Sequence, residues 1–169
     1  LNQIDVICFD KTGVLTTREM EVKNLYYADG MPHAADAANN NTLSYLVKTA
    51  CALCNDVQFY EKLEQANAID KTLISFAGKN GIDIKELLQS ERIYHRPFES
   101  ENKYMACGYK LKDLGVYYFA KGDPDVVLGM CNRYLSAAGG KKADSDFRHF
   151  TYNTISSVNQ RGNTAIALA

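Results

Sequence analysis

"RIYHRPFESENKYMACGYKLKDLGVYYFAKG", residues 92–122, decides the fold. Within it, "RIYHRPF" (92–98), "KYMACGYKL" (103–111) and "GVYYFAKG" (115–122) are strand-length runs rich in aromatic and apolar residues. The polar tip "ESEN" (99–102) and the turn "KDLG" (112–115) separate them. Connections this short favour antiparallel pairing, because a parallel crossover needs a dozen or more residues.

On the N-terminal side the hydrophobic rhythm is different. "IDVICF" (4–9) reads as a compact buried strand and "EMEVKNLYYADG" (19–30) as a second strand closed by an Asp-Gly turn. "MPHAADAANNN" (31–41) reads as a loop ending at Thr42, an N-cap for the helix "LSYLVKTACAL" that stops near Asn55–Asp56. In "AIDKTLISFAGKNG" (68–81), Ile69, Leu73 and Phe76 recur at helical spacing and Gly81 supplies the stop. "DIKELLQS" (83–90) is a short helix.

Beyond residue 122, "DPDVVLGMCNRYL" reads as a helix opening on Asp123–Pro124, followed by a Gly-Gly-Lys-Lys loop. A long helix over 144–160 and a final strand, "TAIALA" (164–169), complete the chain. The fold expected is α+β: an antiparallel sheet of about six strands flanked by helices.

Composition narrows the class. The chain has 169 residues, 46% of them hydrophobic and 23% charged, with a formal net charge of −1. Those values describe a globular protein with no polyanion-binding surface, so nucleic acid is not an expected partner. The apolar runs fall short of the roughly 18 residues of a membrane span. The first residues, Leu-Asn-Gln, form no secretory leader, and the chain reads as cut from a longer protein. Five scattered cysteines (8, 51, 54, 107, 131) suggest reduced thiols. "CALC" (51–54) lies in a helix body without a second pair or histidines at ligand spacing, so these cysteines read as packing residues rather than zinc ligands.

The chemistry is concentrated in "ICFDKTGVLTT" (7–17), where a short apolar run delivers Asp10 and is followed by Lys-Thr-Gly. Reacting groups in open α/β sheets sit at the carboxyl ends of strands, and Asp is a competent nucleophile toward phosphorus. Lys11 can offset charge there, and the Thr12 hydroxyl and turn amides can hold phosphoryl oxygens. Charge concentrated in this way calls for Mg2+. A phosphatase would carry a second acid two residues after the nucleophile. Here that position is Thr12, which suits a persistent phosphoenzyme.

"ICFDKTGVLTT" resembles the phosphorylation motif of the P-type ATPases. "CALCND" (51–56), "NAIDKTLISFA" (67–77), "RPFESENKYMA" (96–106), "KGDPDVVLGMC" (121–131) and "RGNTAIALA" (161–169) resemble, in order, landmarks of that family's nucleotide-binding domain. The resemblance implies three segments: an N-terminal strand and phosphorylation loop (1–17), a nucleotide-binding domain (18–163) and a C-terminal hinge strand (164–169). Without the parallel neighbours that would bury it, "IDVICF" is expected to lie beside "TAIALA" as half of a hinge, or to be poorly ordered.

By the same resemblance Asp10 accepts the γ-phosphate of ATP, and Thr12 helps Asp10 coordinate Mg2+. Phe98 stacks on adenine, Lys103 lines the same pocket, Lys121 lies at its floor, Gly122 lets the nucleotide approach and Asp70 sits near the adenine amino group. The implied partners are ATP and the remainder of one polypeptide: phosphorylation domain, actuator domain and transmembrane helices. The implied location is a cytoplasmic domain of an integral membrane protein. The excised chain is expected to be a monomer that binds ATP without pumping.

Read without the resemblance, Phe98 is a strand-end core residue, Lys121–Gly122 a turn with a solvated lysine, Lys103 a surface charge and Asp70 an acid favoured by a helix dipole. Departures from the family pattern are Val14 for a second Thr, Asp123 in Lys-Gly-Asp-Pro-Asp, and Thr164 where relatives carry an Arg, for which Arg161 is a possible substitute. No His-Pro pair occurs, which disfavours a heavy-metal pump, and "CALCND" looks more like the calcium-type pumps. The alternatives are a haloacid-dehalogenase-like phosphatase with a large cap and a non-catalytic nucleotide-sensing module.

Overall fold

The structure is a computed structural model that describes residues 20–27, 31–34, 42–57, 60–112, 114–136 and 139–169. Asp10, Lys11, Thr12, Val14 and the "IDVICF" run lie outside the described residues.

The expected antiparallel sheet forms. Strands β3 (Glu91–Glu99), β4 (Tyr104–Leu111) and β5 (Gly115–Gly122) are joined by the two short turns. The C-terminal strand β8 (Ala167–Leu168) adds to the far edge of β5, giving the order β3-β4-β5-β8 with every pair antiparallel. Period-two alternation sets the faces. Met105, Cys107, Tyr109 and Leu111 of β4 point into the core with Phe119 and Lys121 of β5. On the opposite face Gly108 lies between Tyr94 and Tyr118, whose ring centroids are 5.9 Å apart.

Helices α1 (Thr42–Leu53), α2 (Ala68–Lys79) and α3 (Ile84–Leu87) cover the inner face. The small side chains of α1 let it wedge between sheet and helix. Ala50, Leu53 and the following Cys54 pack with Met105, Cys107 and Phe119, while Cys51 and Ala52 pack with Leu73, Phe76 and Ala77 of α2. Burial on both sides is possible only for residues of small volume at native packing density. Asn55 ends the helix: it is fully buried, donates to the Ala52 carbonyl at 2.6 Å and accepts from the Val57 amide at 2.8 Å. Asn67 caps α2 by accepting from the Asp70 amide, and Gly81, at φ 91, follows its C-cap Asn80.

Several local readings change. Among the described residues of "EMEVKNLYYADG", Asn24–Tyr26 form the strand (β1), and it pairs with β2 (Pro32–Ala34) in a stretch expected to be loop. The helix opening at Asp123 stops early: α4 spans Pro124–Met130, and Arg133–Ser136 is strand β6, paired with Gly139–Lys142 as β7. A 3-10 segment over Tyr60–Gln65 was not anticipated. The long helix α5 spans Ser145–Gln160, with Asp144 as its N-cap. The eight strands among the described residues therefore divide into one four-stranded sheet and two hairpins, and the α+β class stands. Arg148 of α5 ties the far side together by donating to the carbonyls of Leu128 at 2.6 Å and Cys131 at 2.5 Å.

Two glycines should respond oppositely to a methyl group. A Cβ at Gly122 would fall 2.3 Å from the Lys103 carbonyl oxygen and 2.7 Å from Tyr104 Cα, whereas one at Gly129 meets nothing within 4 Å. Gly122→Ala should lose about 1–3 kcal/mol through overpacking against rigid backbone. Gly129→Ala, inside α4, should gain about 0.5–1 kcal/mol by restricting the unfolded chain. Urea unfolding of the two variants checks the contrast in sign.

Candidate functional site

The β3–β4 turn sets one end of the sheet. Asn102 and Lys103 donate their amides to the Glu99 carbonyl, at 3.1 and 2.7 Å, and Lys103 adopts φ 57, in the left-handed region that non-glycine residues seldom occupy. The carbonyl of Lys103 accepts from the Asp123 amide at 2.9 Å, so the turn is bonded to the end of β5. Gly122, paired with Tyr104, permits this approach because it has no side chain. Phe98, immediately before Glu99 and beside a register shift in β3, is 52% exposed.

One residue inward on β5, Lys121 turns to the core face. Its ammonium donates to Asp70 Oδ1 in the first turn of α2. The pair is deeply buried, Asp70 at 2% and Lys121 at 5% exposure. Ions removed from water in this way persist only because each neutralises the other. Asp70 Oδ2 has no hydrogen-bond partner among the described residues, so one buried acceptor is open to a donor.

The chain thus brings Phe98, Lys103, Lys121 and Gly122 to one end of the sheet, with Asp70 reaching in from α2. The resemblance-free readings fare differently. Phe98 is half-exposed rather than a core residue, and Lys121 is buried rather than solvated. Lys103 is exposed on its turn. Asp123, the extra acid, is used locally: its Oδ1 caps α4 by accepting from the amides of Asp125 and Val126, at 3.0 and 3.4 Å.

Thiols surround the ion pair. Burial pushes the Cys51 thiol up to about 12, against the favourable field of Lys121. The neighbouring Cys107 and burial push the Cys54 thiol up, and the neighbouring Cys54 holds Cys107 down; the thiols themselves donate to backbone, Cys54 to the Phe119 carbonyl at 3.5 Å and Cys107 to the Asn55 carbonyl at 3.6 Å. "CALC" is therefore core packing, as read from sequence, and no group of three His, Cys, Asp or Glu side chains among the described residues could hold a metal ion.

Arg96 was not singled out from sequence. Its guanidinium donates to the Tyr104 hydroxyl, lies 4.6 Å from the centroid of that ring and sits 3.9 Å from a Glu99 carboxylate oxygen. Its position two residues before Phe98 was the available signal. Arg161 instead helps line a separate cleft of about 340 Å³, with Tyr26 and Phe150, to which none of the five sheet-end residues contributes. Thr164 is exposed. None of the helices among the described residues is long and apolar enough to cross a membrane.

Comparison with known proteins now bears on the site. The family model of the P-type ATPase cytoplasmic domain N matches residues 44–169. The chain is 29% identical over 137 residues, 80% of its length, to calcium-transporting ATPase 1 of Bacillus cereus. It is 31% identical over 147 residues, 84% of its length, to a calcium-transporting ATPase of Listeria monocytogenes. The human calcium-transporting ATPase type 2C member 1 is 31% identical over 156 residues, which cover 78% of this chain. The matches span only 15 to 16% of these relatives.

The buried pair gives a stability prediction. Lys121→Met, which leaves Asp70 buried without its counter-charge, should destabilise the fold by about 3–5 kcal/mol. Adding Asp70→Leu should recover most of that loss, because two apolar groups need no solvation. Chemical denaturation of single and double variants measures the recovery; equal losses from both would show that the charges are not the reason for the cost.

Proposed function

This chain belongs to the P-type ATPase family as a cytoplasmic N domain, and from that premise we propose that it binds ATP at the end of the sheet marked by Phe98, Lys103, Lys121 and Gly122. The observation that carries the reading is that these residues stand at one end of the sheet, with the Phe98 ring half in solvent, Lys103 exposed on its turn and the buried Asp70 Oδ2 without a hydrogen-bond partner among the described residues.

Each group has a chemical task. The Phe98 ring offers a stacking surface for adenine. Asp70 Oδ2, a buried acceptor without a donor, suits an exocyclic amine. Lys103, exposed on its turn, supplies positive charge for a polyphosphate, and Lys121, bonded to Asp70, forms the pocket floor. Gly122 keeps the strand end free of side chain. In the intact protein bound ATP would phosphorylate Asp10 in the DKTG loop, Lys11 would balance charge there, and Asp10 and Thr12 would hold Mg2+.

The same reading makes 1–17 part of the phosphorylation domain, 18–163 the nucleotide-binding domain and 164–169 a hinge strand. The complete protein would then be a membrane-embedded cation pump, with this segment on its cytoplasmic side. Mg2+ would supply charge neutralisation at the transferring phosphoryl group, through residues beyond those that bind the nucleoside.

Titration of the chain with ATP, followed by amide chemical shifts, tests the site. Binding should perturb residues around 98–104 and 121–123. Phe98→Ala, which removes a half-exposed ring and should leave the fold intact, should weaken binding by about 1–3 kcal/mol, or about 5- to 150-fold in Kd. No shift at millimolar ATP, or an unchanged Kd in the variant, would overturn the assignment. Incubation with ATP and Mg2+ should leave no acyl-phosphate on Asp10 of the isolated chain by intact mass.

A further inference from the structure

Arg96 grips both ends of the turn that carries Phe98 and Lys103. It lies in β3 opposite Ala106, just before the register shift that separates Arg96 from Glu99. Its guanidinium donates to the Tyr104 hydroxyl and lies 4.6 Å from the centroid of that ring, while its other terminal nitrogen is 3.9 Å from Glu99 Oε2. The same Oε2 accepts from the Asn102 side chain, and the Glu99 carbonyl accepts from the Asn102 and Lys103 amides. Tyr104 is backed in turn by Gly122, its register partner on β5. One side chain thus reaches the residue that opens the turn and the residue that closes it.

What lies between these two anchors needs the support. Phe98 falls inside the register shift, where a bulged strand lacks regular ladder partners, and Lys103 holds a left-handed φ of 57. A pair at 3.9 Å between half-exposed side chains contributes little alone. The planar guanidinium does more, because it stacks on the Tyr104 ring and donates to its hydroxyl while still facing the Glu99 carboxylate. A lysine ammonium has no plane to stack and no fork to divide between two partners.

We propose that Arg96 is a positioning residue for the nucleotide: it braces the 99–104 turn so that Phe98 and Lys103 are set before ligand arrives. The proposal rests on the assignment of ATP to this end of the sheet. Arg96 acts through the turn and not by touching the ligand, since its guanidinium is already engaged by Tyr104 and Glu99. Without the brace, binding has to order the turn as well, and that ordering cost is subtracted from affinity. The ring offered to the base is among the groups held, so base binding suffers even where no phosphate is present.

Titrations with ATP and with adenosine, followed by amide chemical shifts, compare the unsubstituted chain with three variants. Arg96→Ala should weaken both ligands by about 5- to 30-fold. In the free variant, hydrogen-exchange protection of the Asn102 and Lys103 amides should fall while amides within β4 keep theirs. Tyr104→Phe, which keeps the ring and loses the hydroxyl, and Arg96→Lys, which keeps the charge and loses the fork, should each give a smaller loss. A loss for ATP with none for adenosine would make Arg96 a phosphate contact and overturn the proposal. Unchanged affinity for both ligands, or unchanged exchange at 102 and 103, would overturn it as well by leaving Arg96 a surface charge. Where Arg96→Ala fails to fold, Tyr104→Phe supplies the same readouts. No binding by the unsubstituted chain overturns the nucleotide site itself, and this role with it, which separates that failure from the others.

Discussion

The fold is organised around one buried ion pair. Lys121 is the last inward-facing residue of β5 and Asp70 lies in the first turn of α2, so their contact joins the sheet to the helical layer where the chain leaves β5 and enters α2. Burial at this depth makes either charge alone intolerable, which fixes the height of α2 against the sheet more narrowly than apolar packing would. Once α2 is placed, α1 has only the gap between, and its Ala and Cys residues are what that gap admits. The turn at Asn55, the position of Cys54 and the approach of β4 follow from the same spacing.

Electrostatics and packing therefore overlap at one end of the molecule. The same lysine that holds α2 is one residue from Gly122, whose bare backbone receives the Lys103 turn. A site built here has rigid walls, because moving any wall would separate the buried charges or push backbone into backbone. Its outer edge is less constrained, since Phe98 lies within a register shift of β3 and stands half in solvent.

Much of this was legible in the sequence, for definite physical reasons. The runs 92–98, 103–111 and 115–122 have strand length and end in unambiguous turns, so antiparallel pairing followed from loop length alone. Helix α2 announces itself by the spacing of Ile69, Leu73 and Phe76 and by Gly81 at its end. The hairpins were hidden. "RYLS" continues a helical pattern, and its partner "GGKK" has the composition of a loop; pairing, which no local signal encodes, makes both of them strands. "PHA" failed to read as a strand because three residues carry no period. At the site, the family resemblance suggested Phe98, Lys103 and Lys121, which residue types alone would have left as a core ring and two solvated lysines. Yet no local pattern could say that Lys121 and Asp70, 51 positions apart, touch, or that Asp123 would be absorbed as a helix cap. Long-range charge pairing is a tertiary fact, and spacing along the chain does not contain it.

The C-terminal strand has a mechanical meaning. The amide and carbonyl of Ala169 are both bonded to Ala120, at 2.9 and 2.7 Å, and Leu168 pairs with Lys121 itself. A strand so short cannot absorb displacement by sliding through intermediate registers. It either stays seated or comes away as a unit. Tension applied to the last residues is thus delivered in shear directly to the strand that carries the buried lysine, and the backbone there works as a tendon with almost no slack.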